Sequence, residues 1–249
     1  MIDLHSHIIP SVDDGVGSPD EARQLARLAA AEGVEAIAAT PHVRTDFPTT
    51  PEQMERGVAE LREDFRSAGI PVRVLFGGEI ALERLGDLEP DDLRRFTLAQ
   101  TGRYLLLETP YHGSPLALAP AVKSLRESRI TPLVAHPERN ADVQRRPELV
   151  ETLVELGALV QVTAASLDGR FGRSTQRTAR ALLARRLVHV LASDAHGPDR
   201  RDAGLTVALA AVGDDALAHY LVDEAPEAIS LGLPVRPPPR LRRRRFRWF

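Results

Sequence analysis

The 249-residue chain contains no cysteine. That excludes disulfides, thiolate zinc sites and covalent catalysis through a cysteine nucleophile. It contains a single lysine, Lys123, so nearly all of its positive charge is arginine. Aromatic residues make up only 4%. No apolar run approaches the roughly 18–20 residues that a bilayer-spanning helix needs. Basic residues are also scarce in the body of the chain. Before Arg236 there are 25 basic and 35 acidic residues, a net of −10; from Arg236 onward there are seven arginines and no acid. An acidic body argues against nucleic-acid binding, which requires a basic face.

What is present is an alternation of apolar runs with helical patterns. Strand-like runs lie at 2–9, 35–40, 72–80, 104–108, 131–136, 159–163 and 188–194. They are short and nearly continuous in Ile, Val, Leu and Ala, as expected of parallel strands buried on both faces. Between them the spacing predicts helices over 18–32, 51–68, 115–128, 147–156, 174–185 and 202–212. Ser18-Pro19-Asp20-Glu21 reads as a capping box with proline at the first helical position. Gly33, Gly69 and Gly157 stand where helices should stop. Repeated strand–helix units mean a closed barrel or a doubly wound sheet. No glycine-rich dinucleotide fingerprint follows the first run, which favours the α/β barrel.

The histidines carry the chemical signal. His5 and His7 are two apart at the end of the first run and so share a strand face. His42 follows the second run, Glu79 ends the third and Glu108 the fourth. His136 ends the fifth, and Asp194 and His196 end the seventh; Asp13 and Asp14 follow the first. In a β/α barrel the C-terminal ends of the strands converge on one mouth. One strand-end histidine is usually a structural residue. Five of the eight, interleaved with four carboxylates, are different, because so many acids in one mouth repel unless cations neutralise them. Imidazole and carboxylate without thiolate suit Mn, Fe, Zn or Co, and the number of ligands suits two or three ions.

These motifs resemble the PHP family, named for polymerase-associated and histidinol-phosphatase domains. The opening His5-Ser6-His7, the Ala135-His136-Pro137 strand end and the late Ser193-Asp194-Ala195-His196 carry the resemblance over about residues 1–233. Within that family, Met1 to His7 followed by Val12-Asp13-Asp14-Gly15, together with 188–194, is similar to the manganese-dependent protein-tyrosine phosphatases of bacterial capsule and exopolysaccharide loci. The resemblance implies a distorted seven-stranded barrel holding three ions. The first would take His5, His7, Glu79 and Asp194; the second Glu79, Glu108 and His136; the third Asp14, His42 and His196. It also implies two phosphate-gripping arginines, Arg139 and Arg201, with Arg200 as a neighbour that could replace the second. A guanidinium can hold two phosphate oxygens at once. The implied reaction is attack of a metal-bound hydroxide on a phosphomonoester, with phosphotyrosine on a bacterial tyrosine kinase as substrate and Mn2+ as cofactor. Apart from the resemblance, Asp199 reads as a solvated loop acid that could also serve as a proton donor.

Three other functions compete. A small phosphomonoester such as histidinol phosphate could use the same site. A non-catalytic metal-binding regulatory module would not need the full ligand set. A polymerase-associated exonuclease domain fits neither the acidic body nor a chain without a polymerase segment. Among the remaining residues, His189 reads as packed structure, His219 as helix surface and Asp13 as a loop-orienting acid. His112 could line the mouth, and Tyr111 and Phe171 could stack on a substrate ring or simply pack. Residues 234–249, proline then arginine, read as a flexible tail that could touch an anionic membrane. His5 follows Met1 so closely that a cleaved leader would remove it, and a cytoplasmic enzyme is expected.

Overall fold

Apolar runs become strands here, but the expected 72–80 stave is interrupted, and a further short strand follows the 35–40 run. The computed structural model describes residues 1–198 and 204–239. It contains nine strand segments: β1 (Ile2–Ser6), β2 (Ala36–Ala39), β3 (His42–Val43), β4 (Arg73–Leu75), β5 (Glu79–Ile80), β6 (Tyr104–Glu108), β7 (Thr131–Ala135), β8 (Leu159–Thr163) and β9 (Val190–Ala192). Pro41, which has no N–H to give a ladder, separates β2 from β3. Gly77 and Gly78 separate β4 from β5. A Cβ on Gly78 would lie 2.5 Å from the Phe96 ring, and one on Gly77 2.9 Å from Thr40, so only glycine lets the backbone pass.

The strands form a three-stranded sheet, β1-β2-β4, and a six-stranded sheet, β3-β5-β6-β7-β8-β9, and every pairing within them is parallel. The end of β1 also reaches the segment just after β9. Asp194 N donates to His5 O at 2.8 Å, His7 N donates to Ala195 O at 2.8 Å, and Ser6 and Ala195 form a parallel bridge.

Strand residues alternate between buried clusters, as a period of two requires. Leu4, Ala36, Ala38, Leu106, Leu133, Ala135, Val190 and Ala192 pack together in one cluster. Ile37, Ala39, Leu105, Val160, Val162 and Leu191 pack in another with helix residues. Both faces of these strands are therefore largely buried, which is why they read as nearly continuous apolar runs.

The helices fall close to their expected positions: Pro19–Ala31, Pro51–Ser67, Ala119–Glu127 after a single 3-10 turn, Leu149–Glu155, Arg173–Ala184 and Thr206–Val212. Ser18 accepts from Glu21 N at 3.3 Å, but the Glu21 carboxylate turns to Gly17 N at 2.7 Å, so only half of the expected capping box forms. The complete box is at Thr50 and Gln53. Short helices at Pro90–Arg95, Ala141–Arg145, Ala164–Leu167 and Asp215–His219 were not expected. They are too short to show a helical period in the sequence.

The tail read from the sequence over 234–249 is fastened to the body at its start, from Leu233 just before it to Pro238. Tyr104 OH donates to Leu233 O at 2.5 Å and Tyr220 OH to Arg236 O at 2.6 Å, and Arg186 donates to Pro238 O. Residues 240–249 lie outside the described residues, and with them most of the expected arginine-rich tail. Among the described residues no helix is long and apolar enough to cross a membrane.

Candidate metal centre

All nine expected ligands meet. His7, Asp14, His42 and His196 form one group, His5, Glu79 and His136 a second, His5, His7 and Asp194 a third, and His42, Glu79 and Glu108 a fourth. In each group the ligand atoms lie within 4.8 Å of one another. No residue beyond the nine enters these groups among the described residues. The grouping differs in detail from that implied by the resemblance. His7 joins Asp14, His42 and His196, and Glu108 pairs with Glu79 and His42 while His136 pairs with Glu79 and His5.

Glu79 is the hub. Its Oε1 lies 2.7 Å from His136 Nε2. Its Oε2 lies 2.9 Å from His42 Nδ1 and 3.5 Å from Nε2 of both His5 and His7. Asp194 Oδ1 is 3.4 Å from the same two Nε2 atoms and 3.5 Å from His196 Nδ1. Asp14 Oδ1 lies 3.4 Å from His42 Nε2 and 3.3 Å from His196 Nε2.

The donor atoms fit a cation better than they fit one another. His5 Nε2 and His7 Nε2 face each other at 3.2 Å, a separation at which only one of the two can carry a proton. Glu79 Oε2, His42 Nδ1 and His136 Nδ1 are buried with no hydrogen-bond partner, although Glu79 Oε2 is in ion-pair range of His42. Buried polar atoms are almost always satisfied, and a divalent ion among these lone pairs would satisfy several at once.

The electrostatics agree. Burial would lower the His7 imidazole, yet Asp13 and Asp194 carry it up to about 9. Burial likewise opposes His42, but Asp14 and Glu79 raise it to about 11. Burial and then the Glu79 charge push Glu108 up to about 7. Asp194 lies well below the usual carboxylate range: burial would raise it, but Arg139 and His5 prevail. Burial and the Arg139 charge press His136 down to about 4.

Local backbone is bent to aim these groups. His136 and Asp194, at the ends of β7 and β9, are left-handed at φ 35° and 52°. Each such conformation costs about 1–3 kcal/mol for a residue with a side chain. Behind the candidate ligands lies a supporting layer. Asp13 Oδ2 accepts from His7 Nδ1 at 2.7 Å and from His42 N at 2.9 Å, so the loop acid read as orienting also fixes a ring. Gly15 lets this loop close, since a Cβ there would lie 2.1 Å from His7 O. Gln161 Oε1 lies 3.2 Å from His5 Nδ1 and accepts from His136 N at 3.2 Å. Buried Asp3 accepts from His5 N and Ser193 N at 3.3 and 3.0 Å. Arg44 donates to Glu108 Oε1 at 3.2 Å.

Sequence reasoning passed over Gln161, Asp3 and Arg44. Gln161 and Asp3 left a signal, each a polar residue inside an otherwise apolar run.

Arg139 lies at the centre, paired with Asp194, donating to Thr163 Oγ1 at 2.8 Å and with its guanidinium 4.5 Å from the Phe171 ring centroid. Phe171 thus packs on the arginine. Asp199, Arg200 and Arg201 lie outside the described residues. His189 is buried, and burial lowers it to about 4; its ring accepts from Val160 N at 3.2 Å, as expected of a structural residue. His219 is exposed and pairs with Asp223.

Residues 1–226 match the family model for capsular polysaccharide synthesis proteins, CpsB/CapC. The chain is 34% identical over 204 residues to the tyrosine-protein phosphatase YwqE of Bacillus subtilis, covering 81% of this chain and 80% of that one. It is 30% identical over 207 residues to the tyrosine-protein phosphatase CpsB of Streptococcus pneumoniae, covering 81% and 85%. Its fold superposes with a TM-score of 0.87, at 32% identity and over 98% of this chain and 100% of the other, on a crystal structure from the work on YwqE and CpsB as unique metal-dependent tyrosine phosphatases. With its strand-end histidines and carboxylates gathered in one centre, the chain belongs to the CpsB/CapC family of capsular polysaccharide synthesis.

Proposed function

We propose that this protein is a metal-dependent protein-tyrosine phosphatase of capsule or exopolysaccharide control, acting on phosphotyrosine of a bacterial tyrosine kinase. The observation that carries the reading is the Glu79 carboxylate, buried and within 3.5 Å of four imidazoles. Such a constellation is a ready-made multinuclear cation site. Membership of a family whose named relatives are tyrosine phosphatases supports the substrate class. We read His5, His7, Asp14, His42, Glu79, Glu108, His136, Asp194 and His196 as ligands of two or three ions, with Mn2+ as the working metal. We also read the two sheets as one distorted seven-stranded barrel. The bonds from His5 and His7 to Asp194 and Ala195 support its closure.

Divalent ions held here would lower the pKa of bound water and polarise the phosphoryl oxygens. The chain itself supplies position. Arg139 is held beside the centre by Asp194, Thr163 and Phe171, a placement that suits a guanidinium gripping a non-bridging phosphate oxygen. By the resemblance Arg201 would be the second arm. A tyrosyl leaving group, with pKa near about 10, needs little help from an acid.

Arg139→Ala should lower kcat/KM by roughly ten- to a hundredfold, because a charge-assisted contact is worth about 1.5–3 kcal/mol. Manganese content should not fall, since the change leaves Asp194 with more negative charge to share with a cation. Lysine should rescue only in part, because it lacks the planar fork. A variant with wild-type kcat/KM would remove Arg139 from the reaction.

The functional reading is tested by measuring kcat/KM for a phosphotyrosine peptide and for histidinol phosphate on the same manganese-loaded protein. The peptide should be preferred. Preference for histidinol phosphate by more than about tenfold, roughly 1.4 kcal/mol in transition-state binding, would leave the metal centre standing and refute the tyrosine-phosphatase assignment.

A further inference from the structure

Tyr111 is the one exposed aromatic side chain among the described residues, at 41%. It stands on the loop after β6, yet that loop is clamped. Asn140 Nδ2 donates to Pro110 O at 2.6 Å and to Gly113 O at 2.9 Å, and Ala141 N donates to Tyr111 O at 3.2 Å. The residue next to Arg139 therefore fixes the loop that carries Tyr111. The ring lies 6.1 Å from the His136 ring and nearly parallel to it, at 9°, and its hydroxyl end is in polar contact with the Arg139 guanidinium.

An aromatic face kept half in water costs hydrophobic free energy. Here it is held rigid between a metal-site histidine and the arginine read as gripping phosphate. Phe47 also borders the centre, stacked 5.9 Å from His42, but Arg44 covers its ring at 5.6 Å.

We propose that Tyr111 determines specificity by forming an aromatic platform for the ring of an aryl phosphate at the rim of the site. Aromatic pairs are favourable with centroids about 4.5–7 Å apart, and contribute beyond their buried area. The clamped loop means that little ordering entropy opposes the contact. Phosphate affinity comes from the metal centre and Arg139, which are blind to what the phosphate is attached to. Tyr111 reads the attached group, and separates aryl from alkyl phosphomonoesters. This inference rests on the phosphomonoesterase reading above.

The test is calorimetric titration of the manganese-loaded protein with benzylphosphonate and with ethylphosphonate, an aryl and an alkyl mimic that cannot be hydrolysed. The wild type should bind the benzyl compound more tightly. Tyr111→Ala should cut the benzyl-to-ethyl affinity ratio by about three- to tenfold, and Tyr111→Phe should keep it within about twofold of wild type. Manganese content and melting temperature, read for each variant, ensure that folded and loaded proteins are compared. An unchanged ratio in Tyr111→Ala overturns the proposal. So does an equal loss for both ligands, which would mean that Tyr111 acts only through Arg139. A wild type that binds neither compound refutes the phosphomonoesterase reading itself, and the platform with it.

Discussion

Glu79→Gln should lower kcat/KM for a phosphotyrosine peptide by on the order of a hundred- to a thousandfold and reduce the bound metal. The substitution keeps the size of the side chain and removes one negative charge from the point where four imidazoles meet. Its amide NH2 would also direct a donor at ring nitrogens that must be lone-pair donors to a cation. Charge stabilisation by a metal centre is worth several kcal/mol in the transition state, and each ~1.4 kcal/mol is a factor of ten. Gln161→Leu provides the contrast. It removes a partner of His5 Nδ1 and His136 N rather than a ligand, and outer partners of this kind typically cost about ten- to a hundredfold. Steady-state kinetics with metal analysis on the same preparations decides the matter. If Glu79→Gln keeps more than about a tenth of the wild-type rate under saturating manganese, the hub has been assigned to the wrong residue.

Chelation should abolish activity and also lower the melting temperature. Glu79 and Asp194 are 0% and 1% exposed, and Glu108 is 6% exposed. Without dications these carboxylates must be balanced by protons on crowded imidazoles, which is a poorer solution for a buried centre. A ligand held at about a hundred times its Kd stabilises the folded state by ~2.7 kcal/mol. For a chain of this size that corresponds to a fall of about 5–11 °C on removal. Manganese should restore both properties, and two or three ions per chain should be found. An active preparation holding fewer than one ion per chain would end the metal-centre account.

More of the candidate site than of the fold is legible in the sequence. Nine candidate ligands could be placed because each follows a short apolar run. A polar residue at the end of a strand buried on both faces is conspicuous against Val, Leu and Ala. Parallel strands joined by helices all point the same way, so strand ends converge without any knowledge of the pairing. The same logic failed at Gln161 and Asp3. These sit within strands, where a polar residue is easily read as an interruption rather than as a support. It failed at the short helices too, which span too few turns to show a period. Ser18-x-x-Glu21 satisfies the rule for a capping box, but the Glu21 carboxylate takes the Gly17 N–H instead.

By itself, then, the amino-acid order determined the class of fold, the absence of thiol chemistry and the membership of the cluster, because those follow from residue type and from spacing along the chain. Only the tertiary structure decided which candidate ligand faces which. That His136 approaches Glu79 rather than Glu108, that Asp13 steadies His7, and that Asn140 ties Tyr111 to Arg139 depends on contacts between residues 6 to 57 positions apart. Such contacts are settled by sheet order, by strand breaks at Pro41 and Gly77-Gly78, and by left-handed backbone at His136 and Asp194. Each of these is a property of packing in three dimensions, where a rotation of one strand end by a single residue would turn a ligand away from the centre.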